Sequence, residues 1–96
     1  MLFRSKLIIA ILQDTILQEA VRRLSTQKYP VTKLSSTGGF LKSGNTTLLI
    51  GVQDEVVSDV LETLKEVSTE KEGYEKDAKV AMANIFVLDM EQYRKM

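Results

Sequence analysis

Cysteine, histidine and tryptophan are absent from this chain, and it holds a single proline. Without cysteine there is neither a disulfide nor a thiolate metal site. Without histidine the usual general base, the commonest zinc ligand and the side chain that changes charge near neutral pH are missing. An excess of charge of one sign is also lacking. Thirteen basic residues balance thirteen acidic ones, so no net field draws the chain to a nucleic acid polymer or a membrane surface. The N-terminal apolar run, residues 7–12, is only six residues long before Gln13-Asp14. That is too short for a membrane span or a signal peptide, and the chain is expected in the cytoplasm. The sequon Asn45-Thr46-Thr47 is then incidental, because it matters only in a secreted protein.

What is present describes one folded domain over residues 1–96. Hydrophobic residues make up 44% of the chain, enough to bury about two-thirds of the surface an unfolded chain of this size exposes. Two segments forty positions apart read alike: 7–12, Gln13-Asp14 and 16–24 mirror 47–52, Gln53-Asp54 and 56–64. Each opens with a nearly continuous apolar run, the pattern of a central strand. Each then turns through Gln-Asp into a helical pattern. Ile16, Leu17, Ala20, Val21 and Leu24 form one apolar stripe, and Val56, Val57, Val60, Leu61 and Leu64 repeat its offsets, with Val67 extending them. Such stripes cover a sheet. Asp14 and Asp54 stand where a side chain accepts the orphan N–H groups of a helix start, and Thr15 with Gln18 fits a capping box. Strands are expected at 29–36 and 78–88, a solvated loop at 68–77, and a final turn or tail at 90–96. The fold class is α+β: a ferredoxin-like βαββαβ domain, its antiparallel sheet covered by two helices on one face.

Catalytic chemistry finds little support. The spacing Gly39 to Gly44 imitates a phosphate-binding loop, but Asn45-Thr46 and a strand follow where Lys, Ser or Thr and a helix are needed. Glu62, Glu66, Glu70, Glu72 and Glu75 fall on a helix exterior and a loop, with no apolar surroundings to raise a pKa for acid–base work. The central strands lack the aromatic residues on which sheet-based RNA readers stack bases. A binding module remains.

Its densest feature is the segment Thr37-Gly38-Gly39-Phe40-Leu41-Lys42-Ser43-Gly44-Asn45-Thr46-Thr47. Glycine lets backbone N–H groups approach a ligand closely, and runs of such groups make concavities suited to anions. Phe40 and Leu41 add an apolar surface for a flat base. The same composition also serves a plain connector between two strands.

From Val31-Thr32-Lys33-Leu34 through this segment to Thr47, the chain resembles the signature of the bacterial cyclic-di-AMP receptor proteins, which are PII-like signal transducers. Further matches lie at 7–14, Ile50-Gly51-Val52-Gln53-Asp54 and Ile85-Phe86-Val87-Leu88. The resemblance implies a signalling protein and not an enzyme, with no catalytic residue, metal or resident cofactor. It implies a homotrimer that holds cyclic di-AMP or another adenine nucleotide in clefts between subunits, and acts on a protein target it does not identify. Carried over by position, Thr32 would bind a phosphate, with Thr37, Gly38 and Gly39 in the loop that gives backbone donors. Phe40 and Leu41 would pack on an adenine and Asn45 would bond at the loop's far end. Gly51 would allow close approach and Phe86 would add an apolar wall. For Gly51 and Phe86, ordinary strand packing is the competing role.

The chain departs from that pattern where Lys28-Tyr29-Pro30 replaces Asn-Phe-Arg, where Lys95 replaces a glutamine, and in the shortness of 68–77. An arginine binds phosphate through a charged fork that proline cannot supply and lysine cannot reproduce. Its loss costs a few kcal/mol, roughly a hundredfold in affinity. The alternative function is therefore a PII-like partner-binding protein that has lost cyclic di-AMP.

Overall fold

A computed structural model describes residues 5–34, 44–72 and 83–90. Strand β1 (Ser5–Gln13) leads directly into helix α1 (Asp14–Thr26), followed by β2 (Val31–Leu34) and β3 (Asn45–Gln53). A 3-10 turn (Asp54–Val56) opens helix α2 (Val57–Glu72), and β4 (Ala83–Met90) completes the sheet. The strand order is β2-β3-β1-β4, with every neighbouring pair antiparallel. This is the expected ferredoxin-like arrangement.

Strand parity decides what is buried. Ile8, Ala10 and Leu12 of β1 and Leu48, Ile50 and Val52 of β3 point to one face. There they meet Ile16, Ala20 and Leu24 of α1 and Val60, Leu64 and Val67 of α2 in a single core. Burying each large side chain contributes about 1.5–3 kcal/mol. The forty-residue repeat is visible in the register: Ile9 pairs with Leu49, its own counterpart in the second half. A pseudo-twofold axis therefore passes between these two residues, normal to the sheet.

Helix α1 ends in a Schellman motif. The Tyr29 N–H donates to the Leu24 carbonyl and the Lys28 N–H to the Ser25 carbonyl, each at 3.0 Å. Lys28 takes the left-handed conformation this requires, with φ 66°, and Tyr29 packs against the core. Pro30 then precedes β2. Having no N–H, it cannot extend the ladder, so the strand is Val31–Leu34, shorter than the expected 29–36.

The helix starts differ from expectation. The N-cap positions are Gln13 and Gln53, and neither makes a side-chain cap. Asp14 is already helical; its carboxylate accepts the Thr46 hydroxyl at 2.8 Å, and its N–H donates to the Gly44 carbonyl at 2.7 Å. With Asp14 inside the helix, Thr15 cannot cap, and the Thr15–Gln18 box does not form. Asp54 begins the 3-10 turn, its carboxylate 3.8 Å from Lys6 Nζ.

The expected loop at 68–77 is helical as far as Glu72. Val67 is buried beneath it, the Ser68 hydroxyl bonds the Leu64 carbonyl at 2.8 Å, and Arg23 of α1 holds Glu70 at 2.6 Å. Arg23 also contacts Glu19 at 2.8 Å and Glu66 at 3.9 Å. These carboxylates thus serve as ties between the helices, as well as a solvated face. Met90, expected to open a tail, is the last residue of β4. Residues 73–82 and 91–96, including the expected strand start at 78, lie outside the described residues.

Candidate functional site

Opposite the helices, the sheet presents Leu7, Ile9 and Ile11 from β1, with Leu49 and Gly51 of β3, Phe86 and Leu88 of β4, and Thr32 and Leu34 of β2 in register beside them. Both helices pack on the opposite face of the sheet. Leu34, Leu88 and Phe86 are 42%, 49% and 54% exposed. The near-continuous apolar runs of β1 and β3 have their physical reason here. One side of each strand serves the helices, and the other side faces outward.

At the end of this face where β1 begins and β3 ends lies a cavity of about 480 Å³, lined by Ser5, Leu7, Pro30, Thr32, Leu49, Gly51, Val52, Gln53 and Met90. The register explains the grouping. Leu7 pairs with Gly51, Ser5 with both Gln53 and Met90, and Thr32 with Leu49. Carried one step past Val31–Ile50, the β2 register brings Pro30 alongside Gly51. Met90 reaches across β1 from the far edge, so that a Cβ on Gly51 would meet Met90 Cε at 3.7 Å.

The polar groups in this lining are neutral: the Ser5 and Thr32 hydroxyls and the Gln53 amide. Lys6, next to Ser5, turns to the helix face and pairs with Asp89 and Asp54. The strongest electrostatic arrangement lies on the helices instead. Hydrogen bonds from Arg22 and Arg23 lower the Glu19 carboxyl from 4.5 to about 2. Its partners Arg22 and Arg23 are raised by their carboxylate bonds, Arg23 chiefly by Glu70.

Of the site residues expected from sequence, the chain brings Thr32 and Gly51 together in the cavity, with Pro30 in the same lining. Asn45 is elsewhere. It pairs with Gln13 at the opposite end of the sheet, six residues along β3 from Gly51, or about 20 Å at strand rise. Phe86 sits at mid-sheet beside Ile9 and is not in the cavity lining. Thr37, Gly38, Gly39, Phe40 and Leu41 lie outside the described residues. Lys28 terminates α1 and does not line the cavity. Sequence reading missed Ser5, Leu7, Leu49, Gln53 and Met90. For the residues of β1 and β3, strand parity with Gly51 was the available signal. For Met90 there was none, because only the sheet order brings β4 within reach.

The sequence pattern of the cyclic-di-AMP receptor family matches residues 5–75. The chain belongs to that family. A solved protein of unknown function from Pediococcus pentosaceus is 34% identical over 99% of this chain and 100% of its own, with a TM-score of 0.76. CPII, a nitrogen regulatory PII-like protein from Thiomonas intermedia solved with ADP, AMP and bicarbonate, is 17% identical. The match covers 96% of this chain and 93% of CPII at a TM-score of 0.63. Bacillus subtilis GlnK, solved with ATP, is 18% identical over 92% and 83% of the two chains, with a TM-score of 0.67. At such low identity the last two show the fold alone, and that fold is PII-like. The family is one of receptors, which places the chain in PII-like signalling. Among the described residues no helix is long and apolar enough to cross a membrane.

Proposed function

We propose that this chain is a PII-like signal-transduction protein of the cytoplasm. It senses an adenine nucleotide in clefts between the subunits of a homotrimer, passes that state to a protein target and catalyses no reaction. The observation that carries the reading is the cavity holding Thr32 and Gly51, which opens beside an uncovered apolar sheet face. Leu34, Phe86 and Leu88 lose their contact with water if further copies of the chain pack on that face, and the cavity then gains an outer wall. Family membership and the adenine nucleotides bound by CPII and GlnK support the ligand class. The family resemblance makes Thr37, Gly38, Gly39, Phe40 and Leu41 further candidates for ligand contact, whereas Asn45 and Phe86, which lie away from this cavity, would reach the ligand only from a neighbouring copy. Cyclic di-AMP is the family's ligand and the first compound to test.

Size-exclusion chromatography with light scattering reads the assembly: a trimer mass at micromolar concentration is expected, and a monomer removes the intersubunit cleft. A thermal-shift panel of nucleotides reads the sensing, since a ligand bound only by the folded state raises apparent stability by mass action. A second reading, a PII-like protein that binds its partner without a nucleotide, is favoured by Pro30 in the cavity lining. Absence of any shift across the panel selects it.

A further inference from the structure

The chemistry of the cavity wall goes further than the class of ligand. Leu7, Pro30, Leu49, Gly51 and Met90 make the wall mainly apolar, and its side-chain hydrogen-bonding groups are the Ser5 and Thr32 hydroxyls and the Gln53 amide. Pro30 brings to this lining neither a charge nor an N–H. A phosphate set against proline, leucine and methionine gives up water without charge-assisted donors to replace it, which is costly. A flat heterocycle gains from the same wall, because Met90 is unbranched and adjusts to a ring face. The hydroxyls and the amide can bond ring nitrogens or a sugar hydroxyl. A volume of about 480 Å³ lies within the range occupied by small-molecule sites.

We propose that this cavity takes the uncharged portion of an adenine nucleoside, base and sugar edge, and leaves phosphate outside it. The chain therefore prefers an adenine mononucleoside or monophosphate to a cyclic dinucleotide. The proposal rests on the nucleotide-sensing reading above and names the part of the ligand that is read.

Calorimetry on the full chain with adenosine, AMP and cyclic di-AMP tests it, using the wild type, Pro30→Arg and Thr32→Val, each checked for fold by circular dichroism. The expected result is that wild type binds adenosine and AMP within about threefold of each other and cyclic di-AMP at least about tenfold more weakly. Adenosine binding should change little between low and high salt, and Thr32→Val should weaken it about tenfold. Pro30→Arg should raise affinity for AMP and cyclic di-AMP, relative to adenosine, by about tenfold or more. Tighter binding of cyclic di-AMP than of adenosine by the wild type overturns this proposal and leaves nucleotide sensing standing. So does an adenosine affinity that Thr32→Val does not alter. If wild type binds no adenine compound, this proposal and nucleotide sensing fall together, and binding of cyclic di-AMP by Pro30→Arg alone then marks a disabled site.

Discussion

Met90 crosses one strand of the sheet to end over Gly51, with Cε 3.7 Å from the point where a side chain on that glycine would begin. This is ordinary van der Waals distance, so the packing does not demand glycine there. The residue's effect is the empty volume it leaves on the cavity floor. Gly51→Ala should keep the melting temperature or raise it slightly, by up to about 1 kcal/mol in stability. Gly51→Leu should fold and lose the nucleotide-dependent thermal shift. Unfolding of Gly51→Ala would show that the packing does demand glycine, and a full shift in Gly51→Leu would show that the floor is not where ligand rests.

Lys28 occupies a left-handed position that glycine adopts without penalty. Its side chain is exposed, so little packing is lost on truncation. Lys28→Gly should stabilise the chain by about 0.5–1 kcal/mol, measured by urea denaturation. Lys28→Val, β-branched at the same φ, should destabilise it.

Ile8 and Ile9 are neighbours in sequence with opposite fates. Ile8 is wholly buried under the helices, whereas Ile9 belongs to the open face. Ile8→Glu should unfold the chain, since it places an unpaired charge in the core at a cost of several kcal/mol. Ile9→Glu should retain the circular dichroism of the fold and shift light scattering to a monomer mass. A trimer of Ile9→Glu would mean that copies meet on another surface.

Glu19 titrates in the folded chain near pH 2, below its ordinary 4.5, because Arg22 and Arg23 hold the charged form. The contribution to stability is complete above about pH 4.5 and is lost as pH falls towards about 2. Melting curves of wild type and Glu19→Gln should therefore converge on acidification through that window. The gap should also narrow in high salt, since the pair is partly exposed. A constant gap from neutral pH to pH 2 would mean the pair contributes nothing.

The doubled βα unit was legible because two stripes of identical offset, Ile16 to Leu24 and Val56 to Leu64, cannot both arise on loops. The end of α2 was not, since Ser68, Thr69 and Glu70 are polar and the tie from Arg23 to Glu70 spans forty-seven residues of sequence. Asp14 looked like a cap from its position alone, yet β3 offers it Thr46, a partner no local pattern reveals. In the cavity, Thr32 and Gly51 were marked only by the resemblance to the receptor family. Their company of Pro30 and Met90 follows from register across the whole sheet, which periodicity does not specify.

The pseudo-twofold axis between Ile9 and Leu49 exchanges the two ends of the central strand pair, mapping Ser5 onto Asn45 and Leu7 onto Thr47. Under that operation Gly51 maps onto Ile11, which carries a branched side chain where Gly51 has none. The exchange of one isoleucine for one glycine breaks that equivalence and gives the sheet a direction. An insertion of a single residue in β3 would shift the parity of Gly51, moving the gap to the helix side and turning Ile50 outward.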